Sequence, residues 1–153
     1  MNLAEKIIEL RKAGGLTQDG LAAKLFVTRQ AVSRWENGDT TPTIETLKKI
    51  TEIFKVDANS LFAEGEPVFC QSCGMPLSGI EDLGENADKS ANTEYCNYCM
   101  LHGELKDGFT IDDMVESNLN WLKEWNEANG TSYTKEEARP LLKSFLTTLK
   151  RWK

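Results

Sequence analysis

The sequence predicts a mainly α-helical protein in two parts, and three observations lead to this prediction. Apolar residues recur at helical spacing in residues 1–62, and they do so again from residue 110 onward. Between these stretches, four cysteines form two close pairs in a segment rich in Gly, Asn, Asp and Ser. We therefore expect a five-helix domain, then a small four-cysteine site, then a C-terminal helical hairpin.

The expected division is residues 1–62, a linker at 63–67, and residues 68–153. Within the last part, residues 68–109 hold the cysteines and residues 110–153 form the hairpin. The linker is polar and contains both Gly and Pro, which is typical of a connection between domains. We expect it to keep the two cores apart.

Composition narrows the class of protein. The chain has 153 residues, of which 40% are hydrophobic and 27% charged, as in ordinary globular proteins. No apolar stretch reaches the roughly 20 residues that a membrane span needs. The N-terminus lacks the basic start and apolar run of a signal peptide, so we expect a cytoplasmic protein with no membrane contact. In that compartment, paired cysteines indicate a metal site rather than disulfides.

The net charge of −6 is unevenly distributed. Residues 1–62 carry 9 Lys/Arg and 8 Asp/Glu, a balance of +1, whereas residues 63–153 have a balance of −7. A nucleic-acid partner would therefore meet the first part, since the acidic remainder repels phosphate. Its affinity must depend on local placement of charge rather than on bulk attraction.

Apolar spacing, N-caps and glycine stops delimit five helices in the first part. Thr17 and Thr28 are natural N-caps, and Gly38 ends the helix that Thr28 begins. Val27 and Val32 occupy the positions of a hydrophobic staple around the same cap. The expected helices cover residues 3–13, 18–25, 29–37, 44–54 and 58–62.

Residues 16–38, with the sequence LTQDGLAAKLFVTRQAVSRWENG, resemble the lambda-repressor-like, xenobiotic-response-element type of helix-turn-helix. The resemblance extends over residues 1–62. It implies sequence-specific binding to a double-stranded DNA operator by a transcriptional regulator. In such motifs the second helix of the pair enters the major groove and packs its other face on the preceding helix. Val32 and Trp35 provide that packing face.

The candidate DNA-contacting residues cluster at the starts of the two motif helices. Four polar residues of the later helix share one face, where Arg can bind guanine and Gln can bind adenine bidentately. Residues at the start of the earlier helix can meet phosphate beside free backbone N–H groups. The full set is Thr17, Gln18, Thr28, Arg29, Gln30, Ser33 and Arg34.

Two residues depart from the family's pattern. Phe26 stands in the turn where the family usually has Gly, often in a left-handed conformation that costs another residue about 1–2 kcal/mol. Gly20 replaces the usual Glu, which removes a capping-box partner and costs about 1 kcal/mol of helix propensity. Both departures bear on stability rather than on the DNA-reading face.

The four cysteines form two C-x-x-C pairs, Cys70/Cys73 and Cys96/Cys99, separated by 22 residues. Each turn can aim two sulfurs at one point, so together they complete a tetrahedron of thiolates. Gly74 is expected where the chain folds back. The pattern resembles a zinc ribbon, and with CQSCGMPL and YCNYC it is similar to a small zinc-ribbon family of prokaryotes. We expect structural Zn²⁺, because four Cys leave no open position for catalysis.

Other interpretations of the second part stay open. The thiolates could hold iron as in rubredoxin, which would make it a redox- or iron-sensing module, although Met100 stands where that fold usually has Gly. The chain could also be an antitoxin-like subunit or another protein-interaction subunit. An enzyme is not expected and no catalytic residue is assigned, because His102 is the only His and no triad can be built. His102 could replace a cysteine ligand, but we expect it to be a bystander.

In the hairpin we expect Trp121, Trp125 and Trp152 to form the core, with a dimer or partner surface as the alternative. Thr134 and Glu137 fit a capping box, but Pro140 should bend the start, leaving a main helix from Pro140 to Trp152.

A cluster of four acidic residues in the loop between the cysteine pairs lacks regular ligand spacing and predicts a solvated loop. These residues are Glu81, Asp82, Glu85 and Asp88.

We therefore expect a two-part transcription regulator that binds its operator as a homodimer. One helix-turn-helix offers few base contacts, so two half-sites are needed. The second part would supply dimerisation, sensing or an unidentified protein partner.

Overall fold

A computed structural model describes residues 2–62 and 68–153; the predicted linker at 63–67 lies outside the described residues. It confirms the expected class, mainly α-helical with small antiparallel strands. None of the described helices is long and apolar enough to cross a membrane. The α-helices are α1 Leu3–Ala13, α2 Gln18–Leu25, α3 Arg29–Glu36, α4 Ile44–Phe54, α5 Ile111–Leu119, α6 Leu122–Asn129 and α7 Lys135–Leu146.

The first part consists of α1 to α4 and a closing 3-10 turn, Ala58–Leu61, in place of the expected fifth α-helix. Threonine side chains cap α2, α3 and α4, each accepting a hydrogen bond from the backbone N–H three residues later. These caps explain why the helices begin where the sequence predicts. Fully or almost fully buried residues form the core of this part: Ile7, Leu21, Leu25, Val32, Leu47, Ile50 and Leu61.

A polar junction fixes α3 against α1 and α2. The Arg11 guanidinium binds the Glu36 carboxylate through two nitrogens, with Nη2 3.1 Å from Oε2, and it also donates to the Leu16 carbonyl. Gln18 donates to the same carboxylate over 2.9 Å. Both ion-pair side chains are largely buried, at 13% and 6% exposure. The junction therefore locks the last turn of α3 to two neighbouring helices.

The cysteine-rich segment forms two small antiparallel ladders. β1 Leu83–Glu85 pairs with β2 Ala91–Cys96, and β3 Met100–Leu101 pairs with β4 Glu104–Leu105. The β1–β2 register shifts between the first two residues of β1, which is a β-bulge. A 3-10 turn, Ile80–Asp82, leads into β1.

The C-terminal part differs from the expected hairpin because it contains three α-helices. The stripe that begins at Ile111 is split after Leu119, and α6 follows as a separate short helix. The capping box forms: Thr134 N–H donates to Glu137 over 2.9 Å, and Glu137 N–H donates to the Thr134 hydroxyl over 3.3 Å. The cap starts α7 at Lys135, ahead of the expected position.

Pro140 lies inside α7 rather than at its start, so the expectation of a main helix from Pro140 to Trp152 was wrong. The proline stands within the first two turns, where it removes a single hydrogen bond of the ladder. The closed capping box offsets that loss. The helix also ends earlier, at Leu146, and Trp152 lies in a final 3-10 turn, Lys150–Trp152.

The tryptophans do not form the core that the sequence suggested. Trp121 and Trp125 are 68% and 50% exposed, and α6 buries none of its residues. The packing of α5 against α7 uses aliphatic residues instead, which are Met114, Val115, Leu119, Ala138 and Leu146. The expectation of an aromatic core was wrong for these two tryptophans, because the chain breaks at Asn120 and turns both rings outward. Trp152 is half-buried and packs against the core.

The two parts contact each other, contrary to the expected separation of their cores. The Ala91 N–H donates to the Pro42 carbonyl over 2.8 Å, and Thr43 and Ser90 form an isolated antiparallel bridge. Lys48 of α4 forms an ion pair with Glu81 at 3.0 Å. The segment that follows α3 is therefore attached directly to the start of β2.

The Arg11–Glu36 junction yields a stability prediction. Burial raises the pKa of Glu36, but hydrogen bonds from Arg11 and Gln18 outweigh burial and hold it below its ordinary value. Glu36→Gln should lower the free energy of unfolding at pH 7 by about 1–3 kcal/mol, because it leaves a mostly buried guanidinium without its counter-charge. Since ionised Glu36 stabilises the fold above the ordinary carboxyl pKa, the difference between wild type and variant should shrink as the pH falls below about 4.5.

The matched control is Glu116→Gln, which breaks the bidentate Arg139–Glu116 pair on the exposed surface of α5 and α7. It should change stability little, because water and salt screen an exposed pair. Chemical denaturation of both variants between acidic and neutral pH measures the effect. Equal losses in the two variants would contradict the assigned role of the junction.

Candidate nucleic-acid interface and metal centre

Four polar side chains of α3, here called the reading face, line a shallow concave patch. They are Arg29, Gln30, Ser33 and Arg34. Arg29 and Gln30 are among the exposed residues of the helix, and Ser33 is half-buried. Arg29 approaches Asp19 of α2 only at 3.9 Å, with both side chains well exposed. Guanidinium and amide groups are thus presented to the outside without strong internal partners.

The opposite face of α3 packs into the core, as the sequence predicted. Val32 is fully buried and Trp35 is 7% exposed. Because the junction at Glu36 fixes the end of this helix and Thr28 caps its start, the direction of the reading face is determined from both ends. A face that must meet a rigid surface benefits from such preorganisation.

The other candidate residues have internal partners. The hydroxyls of Thr17 and Thr28 accept hydrogen bonds from Gly20 N–H at 3.0 Å and from Ala31 N–H at 3.2 Å. Gln18 uses its amide nitrogen on Glu36. The two threonines are therefore helix caps, and Gln18 is an anchored side chain. Their contact with phosphate stays a prediction.

Phe26 adopts the expected left-handed conformation in the turn, with φ of 56° and ψ of 42°. Its N–H donates to carbonyls of the last turn of α2, so it serves as the C-cap that Gly normally provides. The ring is 89% exposed. Nothing in the structure explains why an exposed phenylalanine occupies this position.

The structure brings the sulfurs of Cys70, Cys73, Cys96 and Cys99 together within 4.8 Å of one another. The Cys73 and Cys96 Sγ atoms are 3.7 Å apart. Four thiolates at about 2.3 Å from a zinc ion would be separated by about 3.8 Å, so this spacing fits a tetrahedral site. Three of the cysteines are buried and Cys73 is half-buried. The donor set and its dimensions suit Zn²⁺.

Mutual contacts shift the ionisation of these thiols. Hydrogen bonds from the other three cysteines hold the pKa of Cys70 well below its usual range. Cys70 raises the pKa of Cys99, but Cys73 and Cys96 outweigh it and lower that pKa to about 7. The Cys96 N–H also donates to the Cys70 sulfur at 3.3 Å. The other two thiols shift in the opposite direction, because Cys70 raises the pKa of Cys73 and of Cys96. A cation bound between the sulfurs would supply the positive charge that lets all four ionise, and thiolates are the form that binds a metal.

A layer of side chains from distant parts of the sequence surrounds the first cysteine turn. Ser72, fully buried between Cys70 and Cys73 in the chain, receives a hydrogen bond from Arg151 at 2.9 Å on its hydroxyl. Its carbonyl accepts from the Trp152 indole at 2.7 Å. Asn118 of α5 donates to the Cys73 carbonyl at 2.8 Å. Contacts of this kind orient metal ligands.

The sequence does not indicate this layer, because Ser72 and Arg151 are 79 residues apart and no spacing rule links them. It does predict the fold-back at Gly74, which has φ of 77° and whose N–H donates to the Cys70 carbonyl at 2.9 Å. A Cβ at Gly74 would lie 2.5 Å from the Phe145 ring. Only glycine lets α7 pack so closely on the cysteine turn.

His102 and the acidic loop do not add to the cluster. His102 is exposed, with Nδ1 3.1 Å from the Glu85 carboxylate. Among the described residues, the only group with metal-site geometry consists of the four cysteines. The acidic residues point to separate partners instead: Asp82 to the N–H groups of Ser78 and Gly79, Asp88 to Ser90, and Glu81 to Lys48.

Two domain families match the chain. Residues 69–153 match the family described as "Putative zinc ribbon domain", and residues 7–61 match the one described as "Helix-turn-helix". The first match covers more than half of the chain and includes all four cysteines. Together they confirm the two resemblances inferred from the sequence and, with the four close cysteines, suggest zinc binding.

Known transcriptional regulators are similar to parts of the chain. The HTH-type transcriptional activator BcrR of Enterococcus faecalis is 41% identical over 66 residues, which is 43% of this chain and 32% of that protein. The cryptic phage CTXphi transcriptional repressor RstR of Vibrio cholerae serotype O1 is 26% identical over 90 residues, 59% of this chain and 80% of that protein.

A crystal structure of an HTH_3 family transcriptional regulator from Vibrio cholerae is 33% identical and covers 40% of this chain and 34% of its own, with a TM-score of 0.36. This chain spans about a third of the length of BcrR and of that structure.

Proposed function

Because the chain belongs to this zinc ribbon domain family and carries a lambda-repressor-like helix-turn-helix, we propose that it is a sequence-specific DNA-binding transcriptional regulator. The reading face of α3 is the observation that carries the proposal. It offers two arginines, a glutamine and a serine on a helix whose opposite side is buried. Its role is occupancy of an operator in the cytoplasm, without enzymatic chemistry.

In this proposal α3 lies in the major groove of double-stranded DNA. Arg34 and Gln30 read base edges, with Arg29 and Ser33 beside them. The remaining candidates lie at the starts of α2 and α3, where free backbone N–H groups and the helix dipole attract phosphate. They are Thr17, Gln18 and Thr28. The anchoring of Gln18 on Glu36 would hold the start of α2 in a fixed position against the DNA backbone.

We propose domain limits of 1–62 and 68–153 with a linker at 63–67, and a structural Zn²⁺ held by Cys70, Cys73, Cys96 and Cys99. Four thiolates leave no position for substrate, so the metal supplies folding energy rather than catalysis. The supporting observation is the composition of residues 68–109, in which only a few apolar side chains are buried.

A homodimer is the proposed binding unit, because one helix-turn-helix makes few base contacts and operators commonly present two half-sites. The exposed rings of Trp121 and Trp125 on and next to α6 supply the apolar surface that a second copy would cover. The same surface would suit a different protein partner, which is the second candidate function, that of an antitoxin-like subunit.

The first prediction concerns base reading. A preferred operator is obtained by selecting bound sequences from random DNA with the purified protein. Arg34→Ala should then weaken binding to that operator by about 1–3 kcal/mol and relax selectivity at one position, because a bidentate base contact is lost. Gln18→Ala should weaken binding to all sequences more evenly. Arg139→Ala, which removes an exposed arginine of α7, is the matched control. Equal loss on operator and random DNA for Arg34→Ala would refute the assignment.

The second prediction concerns the metal. Elemental analysis should find one zinc per chain in a colourless protein. Strong chelation, or Cys73→Ser, should unfold residues 68–109, because structural zinc contributes roughly 10–16 kcal/mol apparent at neutral pH. The helices of residues 2–62 should persist, since they have their own buried core. A red protein with charge-transfer absorption would instead identify iron and a redox role. A metal-free protein with an ordered ribbon would contradict the zinc proposal.

The third prediction concerns assembly. Trp121→Gln combined with Trp125→Gln should shift the protein from dimer to monomer in sedimentation experiments and weaken binding to a two-half-site operator. Tyr98→Gln, which removes a 74% exposed aromatic ring of the ribbon, is the control and should leave the dimer intact. A wild-type monomer at working concentration, bound to a single half-site, would contradict the dimer.

A further inference from the structure

The zinc ribbon domain presents one of its turns beside the reading face. This turn, residues 86–90, connects β1 to β2 and is called here the ribbon turn. Ser90 at its end forms the antiparallel bridge with Thr43, and the next residue, Ala91, donates its N–H to the Pro42 carbonyl at 2.8 Å. The Thr41 hydroxyl donates to the Ala91 carbonyl. The ribbon turn is thereby attached to the segment that directly follows α3.

The interaction between Asp88 of the ribbon turn and Arg34 of α3 also indicates that the turn lies near the reading face. The Ser90 hydroxyl and N–H hold the pKa of Asp88 below its ordinary value, and the positive charge of Arg34 adds to this effect. Arg34 lies in the last turn of α3, on the side of the reading face nearest Pro42 in the chain. The ribbon turn therefore borders the patch that would meet DNA.

The ribbon turn is ordered by its own hydrogen bonds. The Asn86 N–H donates to the Ser90 carbonyl and the Lys89 N–H donates to the Asn86 carbonyl, both at 2.9 Å. The Asp88 carboxylate accepts from Ser90, so its charge is engaged within the turn. Lys89 adopts a left-handed conformation with φ of 69°. Such a conformation costs a lysine roughly 1–2 kcal/mol and persists only where the surrounding bonds enforce it.

Lys89 is the free cation of this turn. Its side chain is exposed, and within the part of the chain that the structure describes it has no ion pair. Other lysines of the ribbon and of α7 are engaged: Lys150 with Glu94, and Lys143 with Asp112. An exposed ammonium group without a partner, held beside a DNA-reading helix, is suited to a phosphate oxygen.

We propose that the ribbon turn is a second DNA-contacting element, in which Lys89 binds a backbone phosphate of the operator next to the bases read by α3. The proposal rests on the proposed function and extends it to the zinc ribbon domain. It gives that domain, despite its acidic balance, a direct part in holding DNA. The partner is double-stranded DNA, and the contact is independent of base sequence because phosphate carries no sequence information.

Lys55 provides a matched control. It is also an exposed lysine in the left-handed conformation, with φ of 53°, and it caps the far end of α4. Because α4 has 11 residues and begins next to Thr43, its two ends are about 16 Å apart. Thr43 is the residue that pairs with Ser90 of the ribbon turn, so Lys55 lies at the end of α4 away from that contact. Its distance from Thr43 exceeds the Debye length of about 8 Å at physiological salt, and we therefore expect Lys55 to interact little with a phosphate held at the ribbon turn.

The experiment measures operator and random-DNA affinity of the full zinc-loaded chain across salt concentrations. The association constant K falls as salt rises, and Lys89→Gln should make the slope of log K against log salt concentration less steep by about 0.9. This corresponds to up to about eightfold weaker binding at about 0.1 M salt, on operator and random DNA alike. Lys89→Arg should restore both quantities, because it restores the positive charge. Asp88→Asn should strengthen binding, since it removes a negative charge from the turn. Lys55→Gln should match wild type.

Zinc content and circular dichroism show whether each variant is folded. If Lys89→Gln does not fold, the Asp88→Asn variant still tests the proposal. A wild-type slope for Lys89→Gln, or an equal loss in Lys55→Gln, would overturn the ribbon-turn contact while leaving the function of α3 intact. A wild-type chain without affinity for any DNA would overturn both the contact and the proposed function.

Discussion

The convergence of four cysteine sulfurs is the constraint on which the second half of the molecule depends. Two turns, 26 residues apart at Cys70 and Cys96, must meet at one point, and a hydrogen bond from Cys96 N–H to the Cys70 sulfur already joins them. The segment between them is poor in apolar side chains and could not fix this geometry by packing alone. The C-terminal residues then attach to the cysteine turn, since Arg151 and Trp152 both bind Ser72. The sulfur cluster thus organises chain segments from residue 70 to residue 152.

The same constraint reaches the helix-turn-helix through a single strand. β2 begins at Ala91, whose N–H and carbonyl both bind the segment after α3, and it ends at Cys96 of the sulfur cluster. The same short strand thus has one end in the sulfur cluster and the other on the helix-turn-helix part. β2 therefore connects the cysteine cluster to the segment that follows the reading face. This connection is separate from the covalent link through residues 63–67. This connection is what allows a loop of the ribbon to stand beside α3.

Local signals in the sequence predicted the elements well, whereas contacts between distant segments were not predictable. Thr17, Thr28 and the spacing of the C-x-x-C pairs act within a few residues, so caps and the cysteine cluster follow from short-range rules. Two departures came from competition between neighbouring signals. The capping box at Thr134 outweighed the helix-breaking effect of Pro140, and a break at Asn120 turned two tryptophans outward. Contacts such as the one between the backbones of β2 and the segment after α3 carry no side-chain signal, so no pattern in the sequence indicates them.

For an acidic domain to lie beside a helix that we propose to read DNA, its carboxylates must be directed elsewhere, and the hydrogen bonds explain how this is achieved. Residues 68–153 carry 9 Lys/Arg and 14 Asp/Glu, a balance of −5, yet the acids between the cysteine pairs are engaged with local donors or cations. The engaged acids are Glu81, Asp82, Glu85, Asp88 and Glu94, and their respective partners are Lys48, the N–H groups of Ser78 and Gly79, His102, Ser90 and Lys150. Salt screens the repulsion between a carboxylate and a DNA phosphate beyond about 8–10 Å. Carboxylates farther than this from the reading face therefore have little effect on DNA binding. Ser90 donates two hydrogen bonds to the Asp88 carboxylate and lowers its pKa. The charge of Arg34 lowers the same pKa further. The net charge of a domain is therefore a weaker guide to its partners than the placement of its few free charges.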